Sequence, residues 1–337
     1  MEFGNYGYTD EMNGAGWQAE RANRESEIPN RHWHLNDPGV VPNVLITGAG
    51  SPTGITVYEG SLLPEKFRNQ VIHCDAGPNV VRAYVTQPDG AGYSAKIENV
   101  AVGEFDRWFR PADVCVAPDG SLFVSDWYDP GVGGHNMEDM ERGRLFRIAP
   151  PGTKYIVPKV ELSTAAGAVD ALRSPNNSTR YMAYKAILKM GSKAASELNK
   201  LAMDTNPRMR ARALWLLSKI SDAKQIVAQA SRDSDSDVRL TGIRIARQAK
   251  LATKDYIPSL LKDSSPAVLR ELAIALREDK SSDMPGYWVA LAAKYDGVDR
   301  WYLEALGIAA TDRWDECLSV WSQSTSGNLE SKASQNI

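Results

Sequence analysis

RPADVCVAPDGSLFVSDWYDPGVGGHNMEDMERGRLFRIAP, residues 110–150, is the stretch on which the fold turns. Two short alternating runs, 113–117 and 122–126, flank the turn Pro118-Asp119-Gly120-Ser121. A third, 145–149, follows a loop rich in Gly, Asp and His. Apolar residues at period two (Val114 and Val116, Leu122 and Val124) give each strand one buried face, and Pro-Asp-Gly supplies the reversal between them. Such a hairpin with a long loop at one rim predicts a blade of a β-propeller. Upstream, 54–58, 71–74, 80–86 and 93–99 make one four-stranded unit, the last two strands flanking a second turn, Gln87-Pro88-Asp89-Gly90. Residues 1–50, rich in Gly, Asn, Asp and Trp, read as rim loops. A propeller closes with roughly 4–8 blades, so one to two blades predict an internal fragment of a larger protein. Its uncovered edges would not be stable alone.

After Pro158 the grammar changes to Ala, Leu, Lys, Arg and Ser at helical spacing. Arg180, Arg210, Arg239, Leu269 and Asp299 fall 30, 29, 30 and 30 residues apart. Each opens an apolar helical run (YMAYKAILKM, ARALWLLSKI, LTGIRIARQA, RELAIALRED, RWYLEALGIA), and the interior ones follow cap residues such as Thr205-Asn206-Pro207. Two helices per repeat, five times over, predict an α-solenoid of HEAT-like repeats, slightly short for that class. Ala183, Ala213, Gly242 and Leu272 fall at equivalent inter-helix slots. The recurring Arg180, Arg210 and Arg239 read as structural ties between repeats rather than ligand-binding groups. The fold class is therefore multidomain, β then α. The expected domains are a partial propeller over 1–150, a linker over 151–159, a HEAT-like solenoid over 160–325 and a disordered tail over 326–337.

Composition narrows the function. A chain of 337 residues with 43% hydrophobic, 24% charged and net charge −3 has no basic excess to suit nucleic acid. Cys74, Cys115 and Cys317 are dispersed, with no CxxC, so neither a disulfide framework nor a zinc module is indicated. No apolar run is long enough to span a bilayer, and MEFGNYGYTDEMNGAGW lacks the basic-then-apolar layout of a signal peptide.

RHWHLNDPGVVPN (31–43), TGAGSPTGITVYEG (47–60), RPADVCVAPDGSLFVSDWYDPGVGGH (110–135) and ERGRLFRI (141–148), followed by the repeats at about 160–310, carry a family resemblance. The chain resembles the membrane-bound dehydrogenase-like proteins of the planctomycete and verrucomicrobia type. These join a glucose/sorbosone-dehydrogenase-like propeller to HEAT repeats and a c-type haem domain. The resemblance implies an oxidoreductase fragment acting on a sugar-like or polyol substrate, with quinone and calcium in the propeller, haem c in a further domain, and a cell-envelope or periplasmic address. The haem attachment motif CxxCH is absent, and the earlier blades that carry much of the family's pocket have no counterpart. The chain alone is therefore expected to be inactive. The alternative is a non-catalytic scaffold, its propeller edge binding a glycan or protein and its HEAT repeats docking a protein partner.

Two loops carry the candidate chemistry. His32 and His34, alternating in an extended segment with Asp37 nearby, would share one side, where a carboxylate could orient a base or complete a metal site. The plainer reading is a rim loop bonded to its own backbone. Asp126, Asp129 and His135 follow a blade strand; the two carboxylates with loop carbonyls could hold Ca²⁺, which takes several oxygen ligands. Asp126-Trp127 reads equally as a structural strand-end turn. Arg142 and Arg144 are expected to pair with loop acids such as Asp139. Trp17, Trp33, Trp108 and Trp127 suit sugar stacking or core packing alike.

Overall fold

A computed structural model describes residues 41, 42, 44, 45, 51–130, 141–324 and 331–337. Seven strands lead the chain: β1 Pro52–Tyr58, β2 Gln70–Asp75, β3 Val80–Asp89, β4 Gly92–Val102, β5 Pro111–Val116, β6 Leu122–Asp126 and β7 Arg144–Ile148. They form a four-stranded sheet in the order β1-β2-β3-β4 and a three-stranded sheet in the order β5-β6-β7. Neither closes into a barrel. One predicted turn shifts. β3 runs on through Asp89, and the reversal is left to Gly90-Ala91, with Gly90 at a φ of 55° that costs a glycine little.

Register explains the stacking of the sheets. Ile72 pairs with Thr56 and Ala83, Cys74 with Val81, Val114 with Val124, and Val116 with Leu122. These side chains alternate onto the facing surfaces and, with Tyr58, Phe67 and Phe109, make one buried core. Each fully buried aliphatic side chain there contributes roughly 1.5–3 kcal/mol. β5 packs on β1 and β2, close enough that a Cβ on Gly54 would lie 2.1 Å from Asp113 Oδ1. Thr53 Oγ1 donates across to Pro111 O (2.8 Å), and the Tyr58 hydroxyl donates to Gly120 O (2.8 Å).

The chain divides into two compact units: Ala49–Gln87 with Ser94–Ile245 belong to one, Pro88–Tyr93 with Ala246–Ile337 to the other. Helices α1 Ala165–Ala171, α2 Asn177–Met190, α3 Ala195–Leu201, α4 Pro207–Ile220 and α5 Ala223–Ala230 lie in the first unit, where α6 Ser236–Gln248 begins. The second holds α7 Ile257–Leu260, α8 Pro266–Leu276, α9 Met284–Ala292, α10 Arg300–Ala310, α11 Trp314–Ser324 and α12 Lys332–Asn336. The last of these is helical where the sequence predicts a disordered tail.

Caps set the helix starts. Asn176, Asn206 and Asp299 accept hydrogen bonds from the first-turn amides of Thr179, Arg208 and Tyr302, and Pro207 and Pro266 occupy first helical positions. In α2, α4, α6 and α8 the third residue (Thr179, Met209, Val238, Val268) is buried. The fifth repeat departs from its predicted phase. Val298 is 74% exposed, and the buried equivalent is Tyr302 at 3%, because Asp299 is the cap rather than a helical residue. The arginines tie turns together by one recurring bond: Nη1 of Arg180, Arg210 and Arg239 donates to the carbonyl of Ser174, Asp204 and Asp233 at 2.7, 3.0 and 3.0 Å. Arg210 also grips the next repeat through Asp233, at 2.8 and 2.7 Å.

In the second unit, the Gly90–Gly92 tip seats against α8 and α10. Asp299 Oδ2 accepts the Ala91 amide at 2.6 Å, and buried Arg270 donates to the Ala91 carbonyl. A Cβ on Gly92 would lie 2.3 Å from the Trp301 ring. Gly92→Val should therefore lower unfolding free energy by about 1–3 kcal/mol, the usual cost of overpacking. A urea midpoint unchanged from wild type would show that the tip is not seated there.

Candidate functional site

The strand-end loop after β6 begins at Asp126, whose side chain is fully buried. Its Oδ1 accepts the Arg110 amide at 2.7 Å and the Tyr128 amide at 3.0 Å. Its Oδ2 accepts Arg144 Nε at 2.6 Å, with Arg144 Nη2 at the same distance. Both oxygens of the carboxylate are thus engaged within the fold. Arg144 reaches on to Asp106 (2.6 Å) and lies over the Tyr128 ring at 4.0 Å. Its hydrogen bond to Asp106 holds that carboxyl below the usual carboxylate range. Burial alone would lower the Arg144 pKa, but its bonds to the two carboxylates outweigh it and hold the group above its ordinary value.

Asp129 is also buried, its amide donating to Trp108 O at 3.1 Å. Arg110, buried beside them, donates to Ala76 O and Pro130 O at 3.1 and 3.0 Å. The structure thus places Asp126 and Asp129 close together in the buried start of this loop, and Arg144 pairs with Asp106 and Asp126. His135 and Asp139 lie outside the described residues, as do His32, His34 and Asp37 and the tryptophans Trp17 and Trp33. Trp108 packs against Tyr128 at 5.4 Å, while Trp127 is exposed. Among the described residues no group of three His, Cys, Asp or Glu side chains could hold a metal. No helix among them is long and apolar enough to cross a membrane.

Beside Arg144 lies a pocket of about 320 Å³. Ala101 and Val102 of β4, Phe109 of the following loop, Val124 of β6, and Phe146 and Ile148 of β7 form its apolar walls. Asp106 and Arg144, already paired, are the polar groups at its edge with Arg147. Arg147 is itself held by Asp119 (2.9 Å), Ser121 Oγ (3.1 Å) and Thr153 O (2.9 Å). β4 and β7 are the edge strands farthest in strand order from β1 and β5, through which the two sheets meet. Phe105, on the β4–β5 loop, is 98% exposed.

Two clusters have no signal in the local sequence. His73 and Tyr84, on the face of the first sheet opposite the core, meet through Nδ1 and the phenol oxygen at 3.2 Å. Burial pushes the His73 pKa down. Glu59, just past β1, faces Arg180 of α2 and Arg208 and Arg212 of α4. The partners are more than a hundred residues distant, so only the fold brings them together. Asn176 Nδ2 donates to Val116 O at 2.6 Å beside them. The first repeats are therefore bonded directly to the sheets within one unit.

Comparison with known proteins divides the chain in the same order. A family model described as a domain of unknown function (DUF7133) matches residues 15–150, and one described as HEAT repeats matches residues 165–243. No curated protein and no solved structure matches the chain. The protein is thus a region of two antiparallel sheets followed by HEAT repeats.

Proposed function

We propose that this chain is a non-catalytic binding scaffold, in which the two sheets are consecutive blades of a propeller and the wedge between them receives an apolar side chain of a protein partner. The observation that carries this reading is the 320 Å³ apolar pocket on the β4–β7 side, next to a loop that leaves Phe105 uncovered. Its volume suits one aromatic or branched side chain, and pockets of this size and polarity are common ligand sites. An exposed phenylalanine nearby is the kind of anchor that interfaces use. Bonding of the first HEAT repeats to the sheets makes the two a single binding body, and stacked repeats commonly present extended surfaces to other proteins.

The sugar-oxidoreductase reading rests on the family resemblance over residues 1–150. It draws no support from Asp126, whose oxygens are all engaged.

A photo-crosslinking residue in place of Phe105, in the full chain expressed in its native cell, should capture a discrete protein. Ala101→Trp, which fills the pocket, should cut that capture about tenfold, the equivalent of about 1.4 kcal/mol of lost binding. Capture that survives Ala101→Trp would defeat the reading. So would reduction of a redox dye by purified chain supplied with quinone, calcium and sugars.

A further inference from the structure

The Glu59 cluster is out of electrostatic balance. Three guanidinium groups converge on one carboxylate: Arg212 through a close contact, Arg208 Nη1 at 3.4 Å and Arg180 Nη2 at 3.5 Å. Among the described residues no second carboxylate pairs with any of the three. Two of them are also anchored by neutral groups, Arg212 on Leu172 O (2.9 Å) and Arg180 on Ser174 O (2.7 Å), which fix the forks without neutralising them. The side chains of Arg180, Arg212 and Glu59 are largely buried, whereas that of Arg208 is 39% exposed. Burial is the main cause that pushes the Arg180 pKa down, and the charges of Arg212 and Arg208 push the same way.

Charge of one sign, partly desolvated and held in place by the fold, attracts a counter-ion. Arginine forks match the oxygens of phosphate and carboxylate groups. Arg208 makes no hydrogen bond within ordinary distance of Glu59, so its donors remain available on the solvent side, in the first turn of α4.

The geometry points to a binding site for a doubly charged oxyanion, of the phosphate monoester class, at Arg180, Arg208 and Arg212. Glu59 is the resident carboxylate of this site. The ligand enters past Arg208 and adds the negative charge that Glu59 alone does not supply. Because the arginines belong to α2 and α4 while Glu59 follows β1, occupancy tightens the junction between the sheets and the first HEAT repeats.

Inorganic phosphate is the probe, titrated calorimetrically into the full chain at constant ionic strength set with chloride. One saturable site per chain is expected. Arg208→Gln, at an exposed position, should leave the fold intact and weaken phosphate about tenfold, the scale of one charge-assisted hydrogen-bond pair. Glu59→Gln should strengthen binding by removing the competing carboxylate; should that variant fail to fold, the Arg208→Gln comparison decides alone. No saturable phosphate binding, or equal binding by wild type and Arg208→Gln, would overturn the assignment.

Discussion

Asp126→Ala is expected to reduce the unfolding free energy of the first unit by about 3–5 kcal/mol, the scale for removing one partner of a buried, hydrogen-bonded ion pair. The substitution strands the amides of Arg110 and Tyr128 and leaves Arg144 facing a hole where its carboxylate stood. Each orphaned buried donor costs about 1–3 kcal/mol by itself. Asp126→Asn keeps the shape and one acceptor, so a smaller loss is expected. Urea unfolding of the full chain with and without calcium separates the two readings of this loop. A structural node predicts the same loss in both conditions. Calcium that stabilises wild type but not Asp126→Ala would instead identify Asp126 as a cation ligand.

The contrast at Asp126 shows what the sequence could convey. The alternation Val114, Val116, Leu122, Val124 is a local signal, and the strands and their pairing follow from it. The helical repeats were equally legible, since capping residues recur with the apolar faces. The last repeat departs because Val298 looks like the buried valines before it, yet the loop there is longer and the cap falls four residues later than the thirty-residue period places it, at Asp299. Site chemistry is less local. An acid at a strand end followed by a glycine-rich loop reads alike as cation ligand or as structural turn. Only the position of Arg144, eighteen residues on and paired with Asp126 across the β6–β7 register, decides which groups reach it. Glu59 is further from legibility, because its three partners sit on helices whose placement no short segment specifies.

Trp288→Ala should cost the second unit about 3–5 kcal/mol, the range for truncating a large buried aromatic. Trp288 in α9 is fully buried; its Nε1 donates to Leu306 O of α10 at 3.0 Å, and its ring meets Trp314 and Trp321 of α11 edge-on at 6.2 and 6.3 Å. Cys317, also buried in α11, places Sγ 3.8 Å from Met284 Sδ of α9, and burial pushes its thiol up to about 11. One side chain thus joins three helices, whereas partly exposed Trp314 borders the same cluster from outside. Trp314→Ala should accordingly cost less, about 1 kcal/mol, as is typical of point substitutions. The comparison bears on the architecture because the HEAT match ends at residue 243, before α7. In a stacked array each repeat buries its apolar face on its neighbours, so helices beyond 243 that continue the array must share a core as dense as that of the matched repeats. Unfolding followed by near-ultraviolet circular dichroism, which reports tryptophan packing, would measure both variants. Equal, small losses would mean that these helices touch without forming a common core, and the repeat array would then end where the family match does.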